Sequence, residues 1–585
     1  MGLGILEDKH LEHVPGTAFV YDNDDDRKRS IAQDVARQTL KYDKTGKILL
    51  VPQPSDDPND PLNWPLWKRD LIISILSFLS VIAATLSPLL AANTVSLAIH
   101  FERSLTDMAL ATGYHLLGVG IAGFLLVPSA RIWGKRHLYI LGTVIVIFSC
   151  IWGGATGPNY ASFLWARIFQ GVGLAPFEAL VNASVGDLYH VHERGVRMAL
   201  SNLALFGGAF LTPVFVGMIA DRIGYEWTFY FVAIFAAALL PLVIFFCPET
   251  AYKREARFDI DTMGNLIVTP EQELTPVNRS STGSPPEYSQ PERDGEGQEK
   301  LVHATATTTH APPPKATFWQ SIAPFNGRKT QESYIELLFR PFPLFLHPGI
   351  LWACLIQGVM IGFTVLIGVT LAAIFLGPPL WFGELETGYM YTGAFIGAIL
   401  GFALTGLLSD PSAKLLTRWN GGVYEPEFRM VLVIPQLLLG GAGLYGFGWT
   451  AKEPKVYGWL WPDFFFAMVV MGMVCGAVAS ALYIVDAHRD LSIEGFTCLL
   501  VFKNVFSFGL TFKGFDWLVE SGNTRNMFIA LGSVQVAICA LTIPMYVFGK
   551  KNRSFFHRHN IFVKATDWVA NRTIGLFVRG SQALG

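Results

Sequence analysis

The sequence has few charged residues for its length, and this scarcity excludes an ordinary soluble domain. Only 15% of its 585 residues are charged, whereas 51% are hydrophobic and the mean hydropathy is +0.38. Soluble domains carry about 25% charged residues. The formal net charge of -2 provides no basic excess, so we expect no nucleic-acid partner. The composition therefore indicates an integral membrane protein.

Cysteine is also sparse, and its placement argues against a metal site or a disulfide framework. The cysteines lie in apolar stretches without metal-ligand spacing, at Cys150, Cys247, Cys354, Cys475, Cys498 and Cys539. The sequence also lacks a G-x-x-x-x-G-K-[ST] phosphate loop and a soluble domain large enough for an ATPase. We therefore expect no metal, no cofactor and no enzymatic activity, and any uphill transport would have to use an ion gradient.

Long apolar runs occupy most of the chain and predict membrane-spanning helices. A helix needs about 20 apolar residues to cross a hydrocarbon core of about 30 Å. Residues 1–70 are polar and show no secretory signal, so the first span would itself act as the targeting signal. Twelve runs qualify, at residues 71–92, 108–130, 137–156, 160–186, 197–220, 226–247, 347–376, 387–408, 430–449, 463–486, 495–519 and 526–548.

A polar stretch at residues 248–346 divides these spans into six and six. It is rich in Pro, Ser, Thr and charged residues, and it should be a largely disordered linker. The sequence thus predicts an all-α membrane protein with two six-helix bundles, residues 71–247 and 347–548. A mostly disordered segment, 1–70, would precede them, and a tail, 549–585, would follow. Such an array is typical of secondary transporters, although channels and membrane enzymes can also have twelve spans.

Lysine and arginine accumulate in alternate short loops, which predicts the orientation. Positive residues favour the cytosolic side of a membrane. They follow spans 2, 4, 8 and 12, at Arg131, Lys135, Arg136, Arg194, Arg197, Lys414, Arg418, Arg429, Lys550, Lys551 and Arg553. Both termini and the linker should therefore be cytosolic. We expect a multi-pass protein of the plasma membrane, with the vacuolar membrane as the alternative.

Three motifs lie in or beside spans 4 and 5. RIFQGVG occupies residues 167–173, ASVGDLYHVHERGVRMAL residues 183–200, and TPVFVGMIADRIGYEWTFYF residues 212–231. They resemble motifs of the major facilitator superfamily, and within it the fungal drug:proton antiporter-like branch that includes polyamine and organic-cation carriers. The resemblance covers all twelve spans, although Thr212 replaces a usual glycine. It implies a carrier built from two pseudo-repeats that works by alternating access.

The loops after spans 2 and 8 resemble a cytosolic gate. In PSARIWGKRH, residues 128–137, Arg131 stands where the family usually has an acid, whereas Asp410 keeps an acid in the corresponding second-half loop. That loop ends in GGVYEPEFRM, residues 421–430, similar to a Gly-Gly-x-x-Glu-Pro-Glu-x-Arg stretch of the branch. We expect its charges to pair with a neighbouring loop at a closed gate; a solvated turn is the alternative. The gate candidates are Arg131, Gly134, Lys135, Arg136, Asp187, Glu193, Arg194, Asp410, Glu425, Glu427 and Arg429.

Charged residues inside spans predict the transport path. Arg167 and Glu178 are eleven residues apart and share a helix face, with Asn182 one turn beyond Glu178. Charges persist in a span chiefly where a cavity or a partner accepts them, so this stripe should line the path. Glu178 would exchange a proton for a cationic substrate or bind the cation directly; the alternative is a structural ion pair with Lys503 or Arg167. Further candidates are Asn93, Tyr114, His115, Gln357, Tyr483, Asp486, Lys503 and Asn504.

The function expected from these patterns is transport of a small organic molecule. The resemblance favours proton-coupled export of a drug-like compound or secondary metabolite. Uptake of a cationic metabolite such as a polyamine is the alternative, because Glu178 suits a cation. A third possibility is a receptor-like protein that kept the fold without transport. Arg131 and Thr212 suggest it, because both depart from the residues usual in the family. The expected partners are a small-molecule substrate, protons and the lipid bilayer, and the protein should be a monomer.

Overall fold

A computed structural model describes residues 3–8, 14–19, 41, 50, 52–254, 315–375, 379–488, 491–521 and 523–559. Helices make up most of this part of the chain. Two short strands, β1 (Ala18–Phe19) and β2 (Val423–Tyr424), form an antiparallel pair in which Ala18 lies opposite Tyr424. Most of the predicted linker, residues 255–314, and the tail from residue 560 lie outside the described residues.

Six long helices form the N-terminal half and match the first six predicted spans. The second begins with a reciprocal cap, in which Ser104 and Asp107 each bond the other's backbone N–H. A short helix, Thr94–His100, lies between the first and second. The helices are α1 (Leu66–Ala84), α2 (Leu105–Trp133), α3 (Arg136–Gly154), α4 (Tyr160–Leu188), α5 (Val191–Ile223) and α6 (Glu226–Phe246).

The C-terminal half has six helical units, several of them broken. α7 runs through Pro348–Ala353, a π-helical stretch Cys354–Val359, and Met360–Phe375. The Gln436 side chain donates to the Ile356 carbonyl at 2.8 Å and so satisfies a backbone group inside that stretch. The others are α8 (Glu384–Tyr389 and Thr392–Trp419), α9 (Pro426–Lys452), α10 (Leu460–Ala487), α11 (Ser492–Ser521) and α12 (Thr524–Ala540 and Thr542–His559).

Eleven of the described helices are long and apolar enough to cross a membrane. α1 is the twelfth, and it differs because Lys68, Arg69 and Asp70 lie in its first turns. The predicted all-helical fold is therefore confirmed, and its count of twelve agrees once α1 is included. Several helices extend past the predicted spans. α8 continues to Trp419 and α12 to His559, because polar residues prolong a helix beyond its apolar part.

The two halves meet along two helix pairs, α2 with α11 and α5 with α8. Glycines permit this close approach. A Cβ at Gly123 of α2 would lie 1.9 Å from the Leu500 side chain of α11, and one at Gly388 of α8 would lie 2.6 Å from the Pro213 carbonyl of α5. The two helix pairs are equivalent in the two halves, as expected for a pseudo-repeat.

Candidate functional site

A cavity lies between the two halves and is mostly apolar. Its volume is about 1170 Å³, including space open to solvent. It extends from Ser87, Pro88 and Ala91, which follow α1, to polar residues in the interior of α4 and α11. Apolar side chains such as Phe206 and Tyr391 form much of its wall. The cavity thus has a largely apolar surface, and its charged residues lie at one place.

That charge is an ion pair between Glu178 of α4 and Lys503 of α11. The Lys503 Nζ lies 2.9 Å from the Glu178 Oε2, and the Asn504 amide donates to the same oxygen at 3.0 Å. The Lys503 and Glu178 side chains are only 7% and 11% exposed. Two charges so deeply buried need this pairing to offset the loss of hydration. Glu178, Lys503 and Asn504 therefore form one polar cluster that bridges the two halves within the cavity wall.

The other members of the predicted α4 stripe lie outside the cavity lining. Arg167 is fully buried and donates to the Gln170 Oε1 at 2.7 Å. His115 is also fully buried, and its Nδ1 lies 3.3 Å from the Arg167 carbonyl. Asn182 accepts a hydrogen bond from Ser201 at 2.7 Å. Residues on one face of α4 thus meet different neighbours along its length.

The candidates on α7 and α10 also lie outside the cavity lining. The Gln357 Oε1 accepts a hydrogen bond from Ser480 at 2.9 Å. Tyr483 is buried against Trp352, with ring centroids 5.2 Å apart. On α2, Tyr114 lies beside Phe508 of α11, with centroids 5.9 Å apart. These residues contribute to helix packing in this conformation.

A buried ion cluster closes the face at which α1 begins and α12 ends, which we call the terminal face. Asp486 at the end of α10 lies 3.3 Å from Arg194 of α5 and 3.3 Å from Arg429 of α9. Arg429 also lies 3.0 Å from Asp410 of α8. The Tyr424 hydroxyl donates to Asp486 at 2.6 Å. Burial raises the pKa of the Tyr424 phenol well above its usual range, so this donor keeps its proton. We call these residues the buried gate cluster.

The buried gate cluster joins the two halves directly. Arg194 belongs to the N-terminal half, whereas its partner Asp486 belongs to the C-terminal half. Asp410 packs against the first turns of α5, where a Cβ at Gly195 would lie 2.1 Å from its carboxylate oxygen. A carboxylate is favoured at this end of a helix. The terminal face is thus closed while the cavity extends toward the opposite face.

A second ion cluster lies at the equivalent place in the first half. Arg131, at the end of α2, lies 3.2 Å from Glu494 at the start of α11 and 3.0 Å from Glu332 of the linker. Arg340 lies 3.0 Å from the same Glu332 and 3.4 Å from Glu494. We call these four residues the Arg131 cluster. The arginine in the family's acidic position therefore contacts acids. The sequence offered a signal, since Glu494 is the acid at the start of span 11.

Three other gate candidates stabilise the N-terminal half internally. Lys135 pairs with Asp187 at 2.6 Å. The backbone N–H groups of Lys135 and Arg136 each donate at 3.0 Å to the Glu249 carboxylate, which caps α3. Gly134 has a φ of 91°, and a Cβ there would lie 2.2 Å from that carboxylate. Only glycine suits the turn.

Two further gate candidates, Arg136 and Glu193, make contacts within the N-terminal half, and each contact involves an arginine. The Arg136 guanidinium donates to the Cys247 carbonyl at 3.0 Å and to the Ile244 carbonyl at 2.6 Å. Glu193 lies 3.5 Å from Arg69 of α1. All three contacts lie within the N-terminal half and do not join it to the C-terminal half.

The glutamates of GGVYEPEFRM bind the end of α12. Arg553 lies 2.8 Å from both Glu425 and Glu427, and Lys550 lies 2.7 Å from Glu425. All of these contacts lie within the C-terminal half, whereas Tyr424 and Arg429 of the same stretch contact Asp486 in the buried gate cluster. Sequence reasoning did not identify Lys550 and Arg553 as the partners, since more than a hundred residues separate them from the glutamates.

The same glutamates hold the N-terminal segment, which we define as Leu3–Asp8 and Val14–Phe19. Thr17 donates to Glu425 at 2.7 Å, and Glu7 pairs with Lys550 at 2.7 Å. The pairing of β1 with β2 places this segment beside the buried gate cluster. Ile5 is 2% exposed and packs with Tyr424. The N-terminal segment therefore packs against the C-terminal half.

Comparisons with known proteins agree with this architecture. The chain is 25% identical over 579 residues to Protein HOL1 of Saccharomyces cerevisiae, covering 94% of this chain and 97% of that protein. It is 26% identical over 505 residues to the MFS transporter cpaT of Aspergillus oryzae, covering 85% and 90%. The solved structure of the proton:xylose symporter XylE matches with a TM-score of 0.52 at 14% identity, covering 83% and 97%. This last likeness concerns the fold.

The family assignment rests on the sequence as well as the fold. The model of the Major Facilitator Superfamily matches residues 71–491. That range runs from α1 to the start of α11 and so takes in most of both halves. The fungal relatives named as transporters match along nearly the whole chain. The chain is therefore a multi-pass membrane transporter that belongs to the major facilitator superfamily.

Proposed function

We propose that this transporter is a proton-coupled carrier of a small, amphipathic organic molecule with a charged group. The observation that carries the proposal is the Glu178–Lys503 ion pair, placed in an otherwise apolar cavity between the halves. An apolar wall binds the body of such a substrate, and the ion pair is the feature that distinguishes a charged group. Within the superfamily, we propose the fungal drug:proton antiporter-like branch, on the resemblance of the motifs at residues 167–173 and 183–200.

Glu178 provides the simplest route for proton coupling. A substrate cation would compete with the Lys503 ammonium for the Glu178 carboxylate. A proton on that carboxylate would remove its charge and release a bound cation, so the carboxylate holds either a cation or a proton. Because one group cannot hold both, proton binding and cation binding exclude each other, as exchange requires. Asn504 keeps the carboxylate in place during the exchange through its hydrogen bond.

Alternating access would require the terminal face to open while the opposite face closes. The buried gate cluster and the Arg131 cluster both cross between the halves, so both must separate in that step. The positive residues on the terminal face support a cytosolic location for it and for both termini. We propose export from a monomer in the plasma membrane, with the vacuolar membrane as the alternative site.

Uptake of a cationic metabolite such as a polyamine is the second candidate. Glu178 favours it, since a carboxylate in the cavity wall suits a polycation. Lys503 weighs against it unless the substrate displaces the ammonium from Glu178. The two candidate functions differ in the direction of transport, so a measurement of cellular accumulation distinguishes them.

The test is cellular accumulation of polyamines, dyes and antifungal compounds, with the proton gradient intact or collapsed. We expect one compound to accumulate less in cells with the wild-type protein than in cells without it. The difference should disappear in Glu178→Gln and when the gradient is collapsed. Glu453→Gln is the matched control, because Glu453 is exposed and does not line the cavity. Raised accumulation would indicate uptake, and no change across the panel at matched surface expression would favour a receptor-like protein.

A further inference from the structure

Three lysines from distant parts of the chain converge beside the start of α1. Lys41, Lys68 and Lys315 line one cavity of about 1010 Å³, including space open to solvent. Trp64 and Trp67 line it too. This lysine cavity lies on the terminal face and shares no lining residue with the central cavity. A role in binding the transported substrate therefore does not explain why these three lysines lie together.

The lysine cavity carries an excess of positive charge. Its lining contains three lysines and one acid, Asp56, which leaves a net charge of +2. Asp56 pairs with Lys41 at 2.8 Å. Within the described part of the chain, Lys68 and Lys315 have no carboxylate at ion-pair distance, and the Lys68 Nζ lies 3.9 Å from the Trp64 ring centroid. Two lysines are therefore available to an external anion.

The positive end of α1 adds to this charge. α1 is 19 residues long, and its first residue follows Pro65, which supplies no side-chain hydrogen bond to the helix N-terminus. Backbone N–H groups at such an end carry partial positive charge. Pro65 lines the lysine cavity, so this helix end and the lysines lie at the same place. All these features favour a ligand of high negative charge density.

Exposed aromatic residues lie in the cavity lining and shortly after Lys315 in the chain, and they indicate where the ligand comes from. Trp67 is 69% exposed, and Phe318 and Trp319 are 57% and 76% exposed. The last two lie on a short helix, Phe318–Ser321, that follows Lys315. Tryptophan is enriched where a membrane-spanning helix meets the headgroup layer, and α1 enters the membrane at this point. A soluble anion would not require such a rim.

The short aromatic helix is fixed to the N-terminal half. The Ala316 N–H donates to the Asn59 side chain at 2.8 Å. The Arg136 guanidinium donates to the carbonyls of Ser321 and Ile322 at 2.8 and 2.7 Å. Lys315 and the exposed rings are therefore held beside α1 by contacts at both ends of the short helix. The site is preformed by the fold.

We propose that the lysine cavity binds the phosphate headgroup of an anionic phospholipid from the leaflet on the terminal face. Lys68 and Lys315 hold the phosphate, Lys41 adds to the positive field, and Trp67 and Trp319 contact the glycerol and the upper acyl chains. Lysine binds phosphate as a compact point charge. The bound lipid joins the end of the linker to α1. This site is independent of the transported substrate and of the direction of transport.

The test uses the purified full-length protein in nanodiscs of phosphatidylcholine, to which phosphatidylserine or phosphatidylinositol is added. Lipids retained by the protein are counted by native mass spectrometry. We expect the wild type to retain the anionic lipid in preference to phosphatidylcholine. The double variant Lys68→Gln/Lys315→Gln should bind it about thirtyfold more weakly, since each lysine at an anionic surface contributes a factor of about five.

Matched variants separate this site from general surface charge. Lys452→Gln/Lys455→Gln removes two exposed lysines from the opposite face and should leave lipid retention unchanged. Lys68→Arg/Lys315→Arg keeps the charge and should keep binding, which would show that the positive charge at these positions is what the lipid requires. Equal loss in the opposite-face variant, or no loss in the Gln variant, would overturn the proposal.

A second arm distinguishes a lipid from a free anion. Thermal protection of the detergent-purified protein is measured with inorganic phosphate and with short-chain phosphatidylserine. We expect protection by the lipid that is reduced in Trp67→Ala/Trp319→Ala, and little protection by phosphate. Equal protection by inorganic phosphate that does not depend on the tryptophans would assign the cavity to a soluble anion and reject the lipid.

Discussion

The two ion clusters of the terminal face occupy equivalent positions in the two halves but differ in burial. In the buried gate cluster, the side chains of Arg194, Asp486 and Arg429 are at most 2% exposed. In the Arg131 cluster, the side chains of Arg131 and Glu332 are 25% and 27% exposed, although that of Glu494 is only 5% exposed. A pair near water contributes about 0–1 kcal/mol, whereas breaking a buried pair costs about 3–5 kcal/mol. Equivalent position therefore does not imply equal contribution to the closed state.

The clusters also carry opposite polarity. In the second half, the acid Asp410 lies against the first turns of α5. In the first half, the arginine Arg131 lies against the start of α11, where Glu494 supplies the acid. Both arrangements join the halves, so the position requires a complementary pair and not one particular sign.

Removing Asp486 should have the largest effect on the closed terminal face. Asp486→Asn leaves Arg194 and Arg429 buried without their shared carboxylate, at a cost of about 3–5 kcal/mol. We expect the terminal face to open, measured as faster labelling of a cysteine introduced between the halves on that face. Asp221→Asn, at the exposed end of α5 on the opposite face, is the matched control. Unchanged labelling would mean that the buried gate cluster does not hold the halves together.

Acid should weaken the same region through His190, the residue before α5. Burial, followed by the charge of His192, lowers the pKa of His190 to about 3. The unfolded chain therefore binds a proton below about pH 6.5 that the folded chain does not, and stability falls as the pH decreases toward 3. We expect a loss of about 2 kcal/mol at pH 5.

The check is the melting temperature of the wild type and of His190→Gln between pH 7 and pH 5. The variant should show a flatter pH dependence, because glutamine does not titrate. His557→Gln serves as the control, since His557 is largely exposed near the end of α12. Parallel curves for the wild type and His190→Gln would assign the acid sensitivity to other groups.

Reversing Arg131 should have the smallest effect. Arg131→Asp restores the acid usual in the family but places it beside Glu494 and Glu332, and we expect a penalty of about 1 kcal/mol at this partly exposed site. Arg131→Asp combined with Glu494→Arg should recover most of it. The measure is again cysteine labelling on the terminal face. A penalty as large as that of Asp486→Asn would remove the distinction between the two clusters.

The fold was predictable because apolar runs of membrane-crossing length are a local property. Composition identified the helices from their residues alone, and the two halves followed from the polar linker. The partners of some buried charged residues could not be predicted from the sequence. The partners of Glu425 and Glu427 lie at Lys550 and Arg553, and no spacing rule connects residues so far apart in sequence.

The candidate site shows the same limit on a smaller scale. Helical periodicity placed Arg167, Glu178 and Asn182 on one face of α4. A shared face does not determine which neighbouring helix each side chain contacts. α4 packs against α2, α3, α5 and α11 at different heights, so only Glu178 of the three meets the cavity. The Glu178–Lys503 contact was among the alternatives, since two buried opposite charges tend to pair.

The docking of the N-terminal segment changes what it means to divide this protein at its linker. Residues 52–254 form the N-terminal half, yet β1 adds a strand to the C-terminal half. The arrangement resembles strand donation within one chain, because the donor fragment completes a surface of its acceptor. If the chain were cut between residues 254 and 315, the first fragment would still contain β1, the strand that pairs with β2 of the second fragment. The two fragments would then reassemble through a backbone contact as well as through helix packing.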